Sequence, residues 1–227
     1  MIIAIDGPAG AGKSTVARQV AAHLGFSYID SGAMYRALAL ASQENGLNSS
    51  SDCEKIISLA FDLPLHFEDN GTRIFIGERD VSTPIRAPHM GEATSQIAAI
   101  GKVRPAMVVQ QKRLGREGET NCGGAVLEGR DIQTVVFPDA DLKIFLTATP
   151  STRAARRIGD WASQLNIQQQ EIDLAQLERE IEERDERDST REDSPLVAAK
   201  DAVILPTDDL TIDEVIAKIV ELAREKM

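Results

Sequence analysis

The 227-residue sequence predicts an α/β protein in which a parallel sheet is covered by helices on both faces. Short apolar runs without polar alternation, typical of strands buried on both faces, are separated by stretches in which apolar residues have helical spacing. The first run, Ile2–Ile5, leads through a glycine-rich loop into a predicted helix, Ser14–Leu24. One antiparallel stretch interrupts this alternation, so we also expect a small insertion in the sheet domain.

The loop after the first strand predicts a phosphate site. Residues Gly7–Ser14 match the pattern G-x-x-x-x-G-K-[ST] at every fixed position. Glycines let backbone N–H groups crowd around a ligand, and a helix start presents unpaired N–H groups and the positive end of its dipole. In this pattern Lys13 reaches the β- and γ-phosphates of a nucleoside triphosphate and Ser14 is a Mg²⁺ ligand. The predicted triphosphate-binding residues are Gly7, Pro8, Ala9, Gly10, Ala11, Gly12, Lys13, Ser14 and Thr15.

The second predicted strand, Phe26–Ile29, is followed by a polar segment. Ser31 is predicted to cap a helix that extends to about Asn45. The segment thus lies at the carboxyl edge of the sheet, where open α/β sheets bind ligands. Arg36, about one turn into the helix, can reach a phosphate at this edge. On these residues alone, a capped helix with a surface arginine is an equally good interpretation.

The antiparallel stretch comes next, after a predicted helix at 52–62. The runs Leu63–Phe67 and Arg73–Ile76 flank Asn70-Gly71, which is a strong hairpin signal. A third short strand is predicted at Asp80–Val81. We expect residues 63–88 to form an insertion rather than a part of the main sheet.

Strand–helix alternation then resumes and continues to the end of the chain. The predicted elements are a helix from Glu92 to about Glu117 with an interruption at Gly101, strands at Ala125–Leu127 and Leu142–Leu146, a helix opened by Pro150, a strand at Val203–Leu205 and a terminal helix that ends near Lys226. Thr211 and Glu214 form a capping box for this last helix.

Charged residues form two clusters. Glu128-Gly129-Arg130-Asp131 directly follows a buried strand, where a carboxylate can hold Mg²⁺ through water and an arginine can donate two hydrogen bonds to a phosphate. A structural ion cluster is the alternative. Within residues 184–191, Arg184, Asp188 and Arg191 share one helix face, for which an ion-pair ladder on a solvated helix is the simpler interpretation.

Three further arginines, Arg153, Arg156 and Arg157, lie in the helix opened by Pro150 and are open to the same two interpretations. A lid that closes over a transferring phosphate needs such cations, because the protein mainly positions groups and neutralises charge. Ser95 and Arg104 carry a weaker signal on spacing alone.

Composition limits the classes of function. A formal net charge of −11 argues against a broad nucleic-acid surface, which needs many exposed cations. Cys53 and Cys122 are far apart and only three histidines occur, so we expect no structural zinc site, and a reducing cytoplasm is the default location. With the first strand at Ile2 and no apolar run of about 18 residues, we expect neither a signal peptide nor a membrane span. The acidic surface favours a monomer.

In this order, the motifs resemble those of the bacterial cytidylate kinase family. They are GPAGAGKST, DSGAMYR, TSQIA with KVR, EGRDIQTVVFPDAD, IFLTA and ERDERDSTR, and together they span nearly the whole chain. The phosphate loop is common to many enzymes, whereas DSGAMYR, GRD followed by TVVFPDA, and RDERD are far more specific. The resemblance implies a P-loop NTPase-type parallel sheet with a small antiparallel NMP-binding insertion and a helical lid. It implies transfer of the γ-phosphoryl group of ATP, with Mg²⁺, to CMP or dCMP.

The resemblance also implies roles for individual residues and a division of the single domain. The catalytic residues would be Lys13, Arg36, Arg130 and Arg157. The acceptor-binding residues would be Ser31, Arg36, Ser95, Arg104, Arg130, Asp131, Arg184, Asp188 and Arg191. Ser14 would bind Mg²⁺ directly and Glu128 would bind it through water. The core would comprise residues 1–62, 89–150 and 195–227, the NMP-binding insertion about 63–88, and the lid with its flanking helices about 151–194.

Two residues depart from the family pattern. Gln133 stands where glycine is usual, which makes the local turn geometry an open question, and Glu128 stands where many members have aspartate. Other functions also stay open: a P-loop kinase for UMP, dTMP or a small metabolite such as shikimate, or a nucleotide-dependent binding switch such as a GTPase. Guanine-specific switches usually carry N-K-x-D, and no Asn-Lys pair occurs in this sequence.

Overall fold

The structure is a computed structural model, and it describes residues 1–165, 173–191 and 193–227. Its strands are β1 (Ile2–Asp6), β2 (Ser27–Asp30), β3 (Leu65–Glu68), β4 (Arg73–Ile76), β5 (Arg79–Asp80), β6 (Ala125–Gly129), β7 (Leu142–Thr147) and β8 (Val203–Pro206). Its α-helices are α1 (Lys13–Leu24), α2 (Ser31–Glu44), α3 (Cys53–Asp62), α4 (Met90–Ala98), α5 (Val103–Cys122), α6 (Pro150–Leu165), α7 (Leu174–Thr190) and α8 (Ile212–Arg224). A 3₁₀ turn at Pro84–Arg86 and a π-helical turn at Ile132–Val136 complete the described elements.

The main sheet confirms the predicted α/β class. It has five strands in the order β2-β6-β1-β7-β8, and the pairs β2–β6, β1–β7 and β7–β8 are parallel. Strands β1 and β6 are buried along their whole length, as expected for apolar runs that are covered on both faces. β1 ends at Asp6, β2 ends at Asp30, and Glu128 is the penultimate residue of β6.

The chain packs as two compact units, the first made of residues 1–2 and 21–128 and the second of residues 3–20 and 129–227. In the first unit α2 packs on α4, and α3 packs on α5. The predicted helix with an interruption at Gly101 is two helices, α4 and α5, with the break at residues 99–102. The N-cap of α2 is Asp30 rather than the predicted Ser31, because Asp30 Oδ1 accepts from the N–H of Ala33 at 2.8 Å.

The predicted hairpin is present in the first unit as the antiparallel sheet β3-β4-β5. Its turn has three successive left-handed residues, Asp69, Asn70 and Gly71. A Cβ on Gly71 would lie 2.3 Å from the Tyr28 carbonyl oxygen, so the turn packs directly on β2 at a place where only glycine fits. Arg79 donates two hydrogen bonds to the Glu44 carboxylate and so ties β5 to α2.

In the second unit α6 packs on α7 through a small apolar cluster of Ala154, Ile158, Leu177 and Ile181. The predicted capping box of α8 is confirmed, with the Thr211 hydroxyl accepting from the N–H of Glu214. The predicted lid, about 151–194, includes residues 166–172 and 192, which lie outside the described residues.

Candidate active site

The phosphate loop lies between β1 and α1, as predicted. Gly7 has a φ of +151°, and a Cβ there would lie 2.2 Å from the Leu146 carbonyl oxygen, so the loop leaves β1 in tight contact with β7. Lys13 is buried at the start of α1, and its Nζ donates to the Pro8 carbonyl at 2.7 Å. Ser14 next to it is exposed. The loop therefore presents a helix start and a lysine, which together suit a polyanion.

A cavity of about 230 Å³ lies beside this loop in the second unit. It is lined by Ala9, Gly10, Arg157, Ile181 and Arg184. Two of the predicted lid and acceptor arginines thus share one cavity with the main chain of the phosphate loop. Such a combination of cations and loop amides is suited to phosphate groups.

Arg184 lies in a strongly cationic environment. Although the residue as a whole is exposed, partial desolvation of its guanidinium lowers its pKa, followed by repulsion from Arg130, whereas Asp188 raises it. Repulsion from Arg157 and Arg187 lowers it further. Like charges held together in this way favour the binding of an anion, which relieves their repulsion.

The second charged cluster is more than a ladder on a solvated helix, because Arg130 from outside α7 takes part in it. Arg130 Nε donates to Asp188 Oδ2 at 3.1 Å, and Arg191 Nη1 lies 3.8 Å from Asp188 Oδ1. All three side chains are about four-fifths buried. Asp131 is buried directly after Arg130. The structure thus brings together three of the predicted acceptor-binding residues in the second unit, and Asp131 follows one of them in the sequence.

Asp6 is a residue of this region that the sequence analysis missed. It is fully buried at the end of β1 and accepts hydrogen bonds from the N–H groups of Ile132 at 3.1 Å and Gln133 at 2.9 Å. Burial raises the pKa of Asp6 to about 6, while those two hydrogen bonds oppose the shift and the charge of Asp131 adds to it. The signal that could have identified Asp6 is its position: it is a carboxylate at the end of an apolar strand, directly before the phosphate loop.

Gln133 resolves the question about the turn that follows Arg130 and Asp131. The residue is buried and has no left-handed backbone, so this position does not need glycine. Its side-chain Oε1 accepts from the N–H of Ala199 at 3.1 Å. Gln133 therefore connects the turn to the segment that precedes β8.

In the first unit, Glu128 and Ser31 lie together. The Tyr28 hydroxyl donates to Glu128 Oε1 at 2.5 Å, and the Ser31 hydroxyl donates to the Glu128 carbonyl at 2.6 Å. Glu128 is only 4 % exposed, so the tyrosine hydroxyl compensates part of the cost of burying its carboxylate. Tyr28 is a second residue that the sequence analysis did not assign to the site.

The remaining predicted acceptor residues of the first unit lie on α2, α4 and α5. Arg36 Nη2 donates to Asp30 Oδ2 at 3.2 Å, while Arg36 Nε is buried without a hydrogen-bond partner in the described part of the chain. The Arg104 guanidinium lies 5.8 Å from the centre of the Tyr35 ring. Ser95 is exposed on α4. The buried Nε of Arg36 is a donor suited to an anionic ligand.

The three arginines of α6 have different surroundings. Arg156 donates to the Thr207 hydroxyl at 3.0 Å and to the Thr207 carbonyl at 2.6 Å, which connects α6 to the end of β8. Arg153 is buried and paired with Asp185. Arg157 lines the cavity beside the phosphate loop. Of the three, Arg157 is therefore the one best placed to meet a nucleotide phosphate.

The oxygen donors on the chain are chemically suited to Mg²⁺, which prefers hard oxygen ligands and keeps several waters. Ser14 supplies an exposed hydroxyl at the start of α1. Glu128 supplies a carboxylate whose Oε1 accepts from a tyrosine hydroxyl. A donor set of this kind fits a metal that arrives with a nucleotide and is held partly through water.

A parallel sheet with a phosphate loop between its first strand and helix, and with arginines around the adjoining cavity, defines a P-loop kinase-like protein. The chain belongs to the cytidylate kinase family, since the sequence model of that family, described as cytidylate kinase, matches residues 3–225. It is 46% identical over 223 residues to a cytidylate kinase of Exiguobacterium sibiricum, an alignment that covers 97% of this chain and 96% of that protein.

Other relatives are longer proteins. The chain is 48% identical over 228 residues to a bifunctional pantoate ligase/cytidylate kinase of Synechococcus sp. (strain RCC307). That alignment covers 99% of this chain but 43% of the relative, so the chain spans less than half the length of the bifunctional relatives it matches.

Solved structures agree on the fold. Shikimate kinase from Bacteroides thetaiotaomicron superposes with a TM-score of 0.50 at 12% identity, covering 99% of this chain and 98% of that one. An uncharacterized protein from Eubacterium ventriosum gives a TM-score of 0.52 at 11% identity, with 99% and 98% covered. Among the helices of the described residues, none has the length and apolar character needed to cross a bilayer.

Proposed function

We propose that the chain transfers the γ-phosphoryl group of ATP to CMP or dCMP and so forms CDP or dCDP. The observation that carries the proposal is the cavity beside the phosphate loop, in which Arg157 and Arg184 face the loop residues Ala9 and Gly10. Membership of the cytidylate kinase family supports a cytidine nucleotide as the acceptor.

On the donor side, the amides of Gly7–Gly12 and the Lys13 ammonium bind the β- and γ-phosphates, and Thr15 lies next to Ser14 at the helix start. The buried Lys13 Nζ already lies within hydrogen-bond distance of the loop carbonyl of Pro8. A short movement of this flexible side chain brings its charge onto a phosphate instead. Arg157 compensates the negative charge that develops during transfer.

On the acceptor side, arginines and other polar residues bind the nucleoside monophosphate. Arg36 and Arg130, with Asp131 beside them, bind the monophosphate, and Ser31 and Asp188 bind the cytosine or the sugar. Ser95 and Arg104 bind either part of the acceptor, and Arg184 and Arg191 bind the sugar or the phosphates. The monophosphate is already anionic near neutral pH, so the chain does not need a strong general base to activate it. The work of these residues is to hold the acceptor oxygen in line with the γ-phosphorus.

Mg²⁺ bound together with ATP would neutralise part of the charge on the β- and γ-phosphates. Ser14 would bind it directly and Glu128 through water. Closure of the helical lid over the nucleotides would exclude water and suppress hydrolysis of ATP.

A panel of acceptors tests the proposal. Purified protein is incubated with radiolabelled ATP, Mg²⁺ and one of CMP, dCMP, UMP, dTMP or shikimate, and the labelled products are separated. We expect labelled CDP and dCDP at rates far above those for dTMP and shikimate, and UMP is included to rank the pyrimidines. Preferential labelling of dTMP or shikimate, or ATP hydrolysis without any labelled acceptor, would contradict the proposal.

For location and partners, we propose that the protein is a cytoplasmic monomer that binds neither nucleic acid nor membranes. The net charge of −11 supports it. Size-exclusion chromatography with light scattering tests the oligomeric state, and a mass about twice that of the chain would contradict it.

A further inference from the structure

We propose that Arg153 is a positioning residue that couples the phosphate loop to α7. Through Arg153, binding of a nucleotide to the loop affects the positions of Arg184 and Asp188 on α7, and those positions in turn affect nucleotide binding. The proposal rests on the proposed function only for the roles of those two residues. Its physical basis is one buried guanidinium that contacts three separate segments of the second unit.

The contacts of Arg153 fix its geometry. The side chain is only 3 % exposed. Its Nε donates to the Ala148 carbonyl, just beyond β7, at 2.9 Å, and its Nη1 donates to the Ala9 carbonyl in the phosphate loop at 3.3 Å. Its Nη2 lies 2.5 Å from Asp185 Oδ2 on α7. No other common side chain has a rigid fork of donors that can serve three acceptors in different directions.

The phosphate loop also rests directly on this residue. A Cβ added to Gly10 would lie 3.1 Å from Arg153 Cβ and 3.3 Å from its carbonyl oxygen. The loop main chain and the first turns of α6 are therefore in close contact at this point. A change in the loop when nucleotide binds would be felt at Arg153 through the Ala9 hydrogen bond and through this contact.

Asp185 is the residue of α7 through which Arg153 acts on this helix. Its Oδ1 is buried and has no hydrogen-bond partner among the described residues, while its Oδ2 is paired with Arg153. Loss of Arg153 would leave a largely buried carboxylate unpaired, and α7 would have to shift to hydrate it. Such a shift would move Arg184, which lines the cavity, and Asp188, which pairs with Arg130.

The first test is a double-mutant cycle on kcat/KM with CMP and ATP. We expect Arg153→Gln and Asp185→Asn each to lower kcat/KM by about 10- to 100-fold, because both leave the reacting groups slightly misplaced. The double variant should be no worse than the poorer single variant, since both substitutions break the same link. Arg153→Lys should not restore the rate, because a single ammonium cannot reach all three acceptors.

Matched controls separate this coupling from a general loss of charge or of fold. Glu186→Gln removes an exposed carboxylate next to Asp185 on the same helix and should leave kcat and both KM values unchanged. Circular dichroism and thermal melting show whether each variant is folded under the assay conditions. The proposal would be overturned if the fold-losses in kcat/KM of the two single variants multiplied in the double variant. Full activity of Arg153→Gln would also overturn it.

The second test does not depend on the acceptor and therefore stands even if the proposed function fails. Amide hydrogen exchange is followed with and without a non-hydrolysable ATP analogue at saturating concentration. In the wild type the analogue should slow exchange in both the phosphate loop and α7. In Arg153→Gln it should still protect the loop but no longer protect α7. Equal protection of α7 in the two proteins would overturn the coupling, whereas absence of CMP phosphorylation by the wild type would contradict only the proposed function.

Discussion

Asp6 is a single residue in which burial and hydrogen bonding oppose each other. The unfolded chain has the ordinary pKa of 3.8 at this carboxyl, whereas burial in the folded protein raises the pKa to about 6. The folded state therefore binds the proton more tightly than the unfolded state does. It follows that ionisation of Asp6 lowers the stability as pH rises through this window, and that the full loss is present above about pH 6.

We predict that Asp6→Asn removes this pH dependence. The difference between the free energies of unfolding of the wild type and the variant should fall by roughly 2 kcal/mol between about pH 4 and pH 7. Urea unfolding at several pH values measures it, with Asp209→Asn, an exposed aspartate, as the control for loss of a charge. A difference that stays constant over this range would show that Asp6 does not titrate there.

Lys13 is the residue whose ammonium group would bind the phosphates of the donor nucleotide. Lys13→Ala removes the ammonium that now contacts Pro8 in the loop, and we expect kcat to fall by about 10²–10³-fold because the transition state loses a fixed cation. The fold should survive, which circular dichroism checks. Turnover close to the wild-type rate would contradict the assigned role.

At the scale of elements, the hairpin turn is held to β2 by close backbone contact. Gly71 and Gly77 both have left-handed backbones, with φ of +77° and +58°. A Cβ on Gly71 would lie 2.3 Å from the Tyr28 carbonyl oxygen, but one on Gly77 would lie 3.9 Å from Pro64 Cγ. The two glycines thus share the conformational requirement and differ in the space available.

This pair gives a matched prediction. Gly77→Ala should lower the free energy of unfolding by about 1 kcal/mol, the usual cost of a left-handed alanine. Gly71→Ala should cost roughly a further 1–3 kcal/mol, because its Cβ also forces the hairpin away from Tyr28. Chemical denaturation measures both. Equal losses in the two variants would mean that the turn adapts without strain.

At the scale of the whole molecule, an acidic protein carries a local concentration of arginines. The formal net charge is −11, yet Arg130, Arg157 and Arg187 in the second unit lie close enough to Arg184 to lower its pKa. Asp188 is the carboxylate that holds Arg130 there. Such an arrangement attracts small polyanions to one place while the rest of the surface repels long ones.

We predict that Asp188→Ala impairs use of CMP more than use of ATP. Without the carboxylate, Arg130 and Arg191 lose their common partner and no longer present fixed donors to the acceptor. The kcat/KM for CMP should fall by roughly 30-fold or more, while the KM for ATP should change by less than about threefold. Steady-state kinetics with each substrate varied in turn measures this, and Glu182→Gln on the same helix is the control. An unchanged kcat/KM for CMP would remove Asp188 from the acceptor site.

The sequence predicts most elements because their local signals are strong. The buried runs of β1 and β7, the Asn70-Gly71 turn and the capping box at Thr211 all act within a few residues of chain. The predicted N-cap of α2, Ser31, is wrong by one residue, because aspartate and serine are both good N-caps and Asp30 takes this role. The Ser31 hydroxyl instead donates to the Glu128 carbonyl. A choice between two adjacent caps depends on a strand that is nearly a hundred residues away.

What the sequence alone determined is the phosphate loop, the α/β alternation and the family, since each depends on residue type and spacing along the chain. The pairing of charged and polar groups emerges only from the folded chain: Arg153 pairs with Asp185, Arg130 with Asp188, and Asp6 with the turn after Arg130. Burial and distance set the strength of these interactions, and local spacing along the sequence encodes neither quantity.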